Sequence, residues 1–209
     1  MFLGKKMSKI RERLGSLHEE ERLKAVRGLE GERSKEAIDL LTKALDDPSP
    51  KVRRRAAHAL GETFMEASIE PLEKALRDPD KKVRWMAAYC LGRLGEEGFT
   101  EAFEAIIGAI DDEDWNVRRI IALQLRHSDP DVLDPLLKAL RDENAYVRRY
   151  AAFGLGRTGN IDAVRYLVEA LEDESREVRS YAGWALDLIA EKHDFASRGE
   201  LIRSQMERV

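Results

Sequence analysis

The chain has little of what catalysis and metal chemistry draw on. Cys90 is the only cysteine among 209 residues, so no intramolecular disulfide can form and no thiolate cluster can hold zinc. Its place among small residues beside Leu91 suits a packed, inert thiol. Histidine is scarce too. Of His18, His58, His127 and His193, only His18 is followed by a carboxylate in a His-Glu pair; the others precede Ala59, Ser128 and Asp194. A centre needing several imidazoles and carboxylates finds no donor set here, so no metal and no cofactor are expected. Phosphate-cradling glycine loops, nucleophile elbows and dinucleotide fingerprints are missing, and no catalytic residue is assigned.

Long apolar runs are missing as well. None approaches the roughly 20 residues that span a bilayer, and the first six residues are too short for a signal-peptide apolar core. These absences point to a cytoplasmic protein with no membrane partner. What the chain has is charge, 36% of its residues, with 36 Lys and Arg against 40 Asp and Glu for a net charge of −4. With 43% hydrophobic residues, it can also bury a continuous core.

The positive signal is repetition. Asp-x-x-x-x-Val-Arg-x-x-Ala-Ala-x-x-Leu-Gly, opening at Asp47, returns with small changes from Asp78, Asp112, Asp142 and Asp173. The index valines Val52, Val83, Val117, Val147 and Val178 are spaced by 31, 34, 30 and 31 residues, a period typical of stacked helix pairs. A weaker copy puts Glu21 and Arg22 in the valine and arginine positions, with Ala25 and Leu29 following, making six units. Upstream of each aspartate lies an apolar pattern such as Ala37 to Leu45, with steps of three and four that mark an amphipathic helix, A. Pro71 and Pro135 share one register in it and fit only its first turn or a kink. Helix B starts after Ser49, Asp80, Asp114, Asn144 or Ser175, each able to cap free amides, and Pro50 suits a first helical position. Gly95 and Gly159 are expected as left-handed C-caps, and the 34-residue spacing as a longer loop over 95–100.

These units, carried by Asp47, Val52-Arg53, Ala56-Ala57 and Leu60-Gly61 with their copies, resemble HEAT-like repeats of the phycobilisome-lyase type. The resemblance covers roughly residues 8–190. It implies an all-α fold, a right-handed α-α superhelix or solenoid of about six helix pairs, with B helices on the concave side. The expected organisation is an extension over 1–7, the array over 8–190, and a capping segment over 191–209, in which Ile10, Leu14, Leu201, Ile202 and Met206 cover the ends of the core. The family includes chromophore lyases, an iron hydroxylase and plain binding scaffolds, so fold alone does not choose a function.

On a helical wheel, the valine, the alanines and the leucine of B share one arc, while positions two, three and six after the valine point away from it. Position two holds Arg54, Trp85, Arg119, Arg149 and Ser180. Position three holds Arg55, Met86, Ile120, Tyr150 and Tyr181, and position six His58, Tyr89, Leu123, Phe153 and Trp184. Flanking columns one before and ten after the valine add Lys51, Lys82, Asn116, Tyr146 and Glu177, then Glu62, Arg93, His127, Arg157 and Leu188. Seven of the fourteen aromatics stand there, among eight basic residues and only two acids. Bulky aromatics interleaved with arginine make a partner-binding surface, unless they pack on one another or under the C-terminal segment.

The candidate partner-binding set is thus Arg54, Arg55, Trp85, Met86, Tyr89, Arg119, Ile120, Leu123, Tyr146, Arg149, Tyr150, Phe153, Arg157, Tyr181 and Trp184. The periodic Arg22, Arg53, Arg84, Arg118, Arg148 and Arg179 recur in step with the aspartates and are expected to form a structural Asp–Arg ladder instead. The reading that follows is a monomeric, non-catalytic scaffold that takes an acidic protein segment with apolar anchors. Single-stranded nucleic acid is the second candidate partner, through stacking and phosphate neutralisation, and lyase-like activity the third.

Overall fold

The computed structural model describes residues 2–126 and 132–207, with side chains from Lys6 onward; His127, counted above on the open face, lies outside them. The described residues form thirteen α-helices with short 3-10 turns and contain no strand. In chain order these are α1 (Phe2–Leu14), α2 (Glu19–Arg27), α3 (Lys35–Ala44), α4 (Pro50–Gly61), α5 (Ile69–Ala75), α6 (Lys81–Glu96) and α7 (Glu101–Ile107). They continue as α8 (Trp115–Gln124), α9 (Leu133–Ala139), α10 (Ala145–Thr158), α11 (Val164–Glu169), α12 (Arg176–Lys192) and α13 (Arg198–Met206). Odd-numbered helices through α11 are A helices, even-numbered ones are B helices, and α13 is extra.

Capping chemistry sets where the B helices begin. Asp80 accepts from the Lys82 and Val83 amides at 2.8 and 3.3 Å, Asp114 from Asn116 at 3.0 Å and Asn144 from Tyr146 at 2.9 Å. Ser49 and Ser175 cap α4 and α12, and Pro50 takes the first helical position of α4. These bonds satisfy amides that the helix leaves without partners. The weak first copy shows its weakness here, since His18 before α2 makes no side-chain cap. Pro71 and Pro135 both sit in the first turn of an A helix, which needs no kink.

Contacts cluster into two compact units, one through Ile106 and one from Ile107, where the sequence suggests a single array. In the first, α4 packs between α2 and α6, and α3 and α5 back α4 and α6. In the second, α10 packs between α8 and α12, α9 backs α10, and α11 and α13 pack against α12. The cores follow the motif: Val52, Ala56, Ala57 and Leu60 in one unit, and Val147, Ala151, Ala152 and Leu155 in the other, are fully buried. Burial of such side chains supplies most of the driving force, at roughly 25 cal/mol per Å² of apolar surface.

The interlock between repeats is a ladder of two-pronged ion pairs. Arg22 Nε and Nη2 donate to Asp47 at 2.6 and 3.0 Å, and Arg53 to Asp78 at 2.7 and 2.8 Å. In the second unit Arg118 grips Asp142 at 2.6 and 3.0 Å, and Arg148 grips Asp173 at 2.7 and 3.0 Å. Each arginine turns Nη1 back onto its own repeat, as Arg53 does to the Asp47 carbonyl and Arg148 to that of Asp142. The aspartate also accepts the amide two residues on, Ser175 for Asp173 at 2.8 Å. One carboxylate therefore shapes its turn and ties it to the preceding B helix, which explains why aspartate and arginine recur together.

Four expectations change. α1 begins at Phe2, so helix already covers residues 2–7, which the sequence sets apart as an extension. Gly95 lies inside α6, buried and helical; a Cβ there would meet the Phe103 ring at 2.5 Å, so the glycine admits a close contact instead of capping. The extra residues of the 34-residue spacing go largely into this longer helix, leaving only 97–100 to connect it to α7. Among the end residues, Ile10 and Leu201 are buried and Leu14 and Ile202 half-buried, but Met206 is exposed. Gly159 is as the sequence suggests, a left-handed C-cap with φ of 64°.

Candidate functional site

The open faces of the two units differ in kind. On the first, Trp85 and Tyr89 stack one helical turn apart, with ring centroids at 5.6 Å and planes within 5°. Arg93 lies over Phe64 at 4.7 Å and over Tyr89 at 5.9 Å, and pairs with Glu62. Arg55 pairs with Glu30, in close contact but with no aligned hydrogen bond. Arg54 is exposed and Met86 half-buried. Two of this face's cations are therefore already neutralised by acids of the same unit.

The second unit's face keeps its charge. Arg149 on α10 lies over three tyrosine rings: Tyr150 at 4.7 Å, Tyr146 at 5.1 Å and, from α12, Tyr181 at 5.7 Å. Arg119 on α8 approaches the same Tyr150 ring at 5.5 Å. Beside them, Phe153 and Trp184 stack at 5.2 Å with planes within 5°, and Tyr181 meets both edge-on at 6.2 and 6.4 Å. Arg157 is exposed on the outer side of α10, and Leu123 is half-buried on α8. None of Arg119, Arg149 and Arg157 makes a hydrogen bond or ion pair with a described residue, and the Arg149 Nε is buried without an acceptor.

Glu177, on the first turn of α12, feels the field of Arg149. Its carboxylate is held below its ordinary value first by its own backbone amide and by Ser175, and only in smaller part by the field of Arg149. It leaves the guanidinium unpaired. The aromatic cluster is self-packed but not hidden, since Trp184 keeps 38% of its surface and Tyr146 52%. Helix α13 packs on α11 and α12, and its Arg198 reaches Asp187.

The sequence reading needs two corrections here and missed a residue. Ile120, placed on the open face, is buried at 4% exposure: the adjacent Ile120 and Ile121 both turn inward, where apolar burial outweighs the wheel register. Arg55 is not an open cation, because Glu30 supplies its counter-charge across from α4. Trp115 was missed. It stands at the first position of α8, two before the index valine, yet stacks on Tyr146 at 5.5 Å with 36% of its surface open. Its signal was an aromatic next to the cap, where the next repeat offers Tyr146.

Among the described residues no three His, Cys, Asp or Glu side chains converge, and no helix is long and apolar enough to cross a membrane. Burial pushes the Cys90 thiol up to about 12, far from the thiolate a nucleophile needs.

Comparison with known proteins bears on the fold. The HEAT repeats family profile matches residues 7–77, 69–134 and 133–197. No curated protein matches the chain. Among solved structures it is similar to the Escherichia coli protein YibA, with a TM-score of 0.65 and 23% identity over 89% of this chain and 73% of that one. It is also similar to an engineered protein, with a TM-score of 0.62 and 23% identity over 88% and 96% of the two chains. A third is a designed armadillo repeat protein in complex with the peptide (KR)4, at a TM-score of 0.62 and 20% identity over 88% and 99%.

Proposed function

The chain belongs to the HEAT repeats family, and from that premise we propose that it is a non-catalytic binding scaffold whose open B-helix face, in the second unit, takes an acidic protein segment with apolar anchors. The carrying observation is that Arg119 and Arg149, flanking the Tyr150 ring, have no acid partner beside the half-exposed Phe153, Tyr181 and Trp184. Unpaired like charges held close repel one another, and an anionic ligand removes that cost. Desolvated aromatics supply the affinity, since truncating such anchors typically costs the most in an interface. The designed armadillo protein carries a basic peptide on the same fold; the charges left open here call for the opposite sign. The acids that neutralise Arg55 and Arg93 support placing the site in the second unit and not the first.

Selection of random dodecapeptides displayed on phage against the full chain tests this. Peptides combining acidic and large apolar residues are expected. The double variant Phe153→Ala/Trp184→Ala should lose at least about 2 kcal/mol, some 30-fold, of their affinity while its melting temperature stays near that of the parent. Selected peptides without an acidic excess, or peptides indifferent to the double substitution, would count against the reading. A single-stranded oligodeoxythymidine that binds instead, with affinity falling steeply and log-linearly in salt, would replace it with nucleic-acid binding.

A further inference from the structure

We infer that Arg149 is the reader of a single carboxylate in the bound segment, by a two-pronged contact, and that this acid lies within about four residues of the apolar side chain seated at Trp184. The inference rests on the scaffold reading above and names the chemistry of its ligand.

Three ladder arginines are saturated: Arg53, Arg118 and Arg148 each spend Nε and Nη2 on one aspartate and Nη1 on a carbonyl. Arg149 follows Arg148 directly in sequence and has none of this. Its Nε is shielded from solvent without an acceptor, and three tyrosine rings fix the guanidinium within 5.7 Å. Rings give a cation attraction over their faces but leave its N–H edge unanswered. A shielded donor without an acceptor is costly, and the Nη groups of this half-buried side chain also have no partner among the described residues, so an oxyanion brought by the ligand satisfies them. Held by rings on α10 and α12, the fork is oriented before the ligand arrives, so little entropy is lost on pairing.

Carboxylate is the better match than phosphate. Arg119 is placed by the Tyr150 ring, 5.5 Å from its centroid, and not by any contact with Arg149, so a doubly charged group held by the Arg149 fork alone would keep one charge unneutralised. Tyr181 bridges the two subsites, 5.7 Å from the Arg149 guanidinium and 6.4 Å from the Trp184 ring. An extended strand rises about 3.3 Å per residue, so an acid and an apolar residue that use both subsites are separated by no more than about four positions.

The probe is a set of fluorescein-labelled dodecapeptides of glycine and serine, each carrying one glutamate and one leucine at separations of one to eight residues, read by fluorescence polarisation on the full chain. Affinity is expected to peak at separations of two to four. Arg149→Lys keeps the charge and loses the fork; it should weaken the best peptide at least tenfold, with Arg203→Lys, at an exposed position of α13, changing it less than twofold. Arg149→Met guards against a lysine that finds its own geometry, and each variant's melting curve reports folding. Replacing the glutamate by glutamine should match the loss in Arg149→Lys, and phosphoserine in its place should bind more weakly than glutamate. The inference is overturned if Arg149→Lys binds as the parent does, if affinity is flat in separation, or if phosphoserine binds more tightly. In each of those cases continued loss of binding in Phe153→Ala/Trp184→Ala leaves the scaffold reading standing. Failure of every peptide to bind, together with failure of the dodecapeptide selection, overturns both.

Discussion

Neighbouring residues on one helix have opposite jobs. Leu155 on α10 is fully buried, and Arg157, two positions on, is exposed with no partner among the described residues. Truncating the leucine removes transfer energy and leaves a cavity between packed helices, so Leu155→Ala should cost about 2–5 kcal/mol, whereas Arg157→Ala should cost under about 1 kcal/mol. Thermal or urea melts check the contrast, and equal losses would mean that the open face is wrongly drawn. At this scale the sequence was readable where one force dominates. Small residues and the leucine of the motif were placed correctly because the wheel and burial agree. Ile120 was misplaced because its side chain follows the core against the wheel, and Arg55 because its neutralising partner, Glu30, lies 25 residues away with no periodic trace.

Within each repeat the element is a turn, a cap and a ladder rung built around one aspartate. Asp173 shows the energetics. Its burial favours the neutral form and raises its pKa, but the hydrogen bonds from Arg148 and the Ser175 amide outweigh that and hold it below the ordinary aspartate value of 3.8. A carboxyl depressed on folding contributes stability that is fully present above its unfolded value and is lost as pH falls through the lower folded value. Asp173→Asn should therefore cost about 1.5–3 kcal/mol near about pH 7, the worth of hydrogen bonds to charged groups, with the gap to the parent closing below about pH 3.8. Denaturant melts across that range measure it. A gap that persisted undiminished in acid would mean the rung acts through packing alone. The rungs and caps were legible because their residue types recur in register. Gly95 was not, since its role is set by Phe103 of the next A helix and not by any local rule.

At the scale of the molecule, six repeats of one motif do not make six equivalent surfaces. The array itself was legible in spacing alone, because each helix pair must bury its apolar face on a neighbour and so repeats the same pattern. The clustering into two units was not, and neither was the division of the open face into a neutralised part and a part with free cations. The second depends on non-repeating residues: Glu30 and Glu62 in one unit and Trp115 in the other. If the second unit's face is the binding surface, its aromatics carry the contact and its arginines steer encounter. Reversing the peripheral Arg157 to glutamate should then slow association and alter its salt dependence while changing dissociation little, as stopped-flow mixing with a selected peptide would show.

The three tryptophans give a direct reading of the central claim, since Trp85 lies on the first unit's open face and Trp115 and Trp184 on the second's. Titrating a selected acidic peptide into chain carrying ¹⁵N-labelled tryptophan should move the indole N–H resonance of Trp184 most, that of Trp115 less, and leave that of Trp85 in place. Movement of Trp85 with Trp184 unmoved would contradict the account.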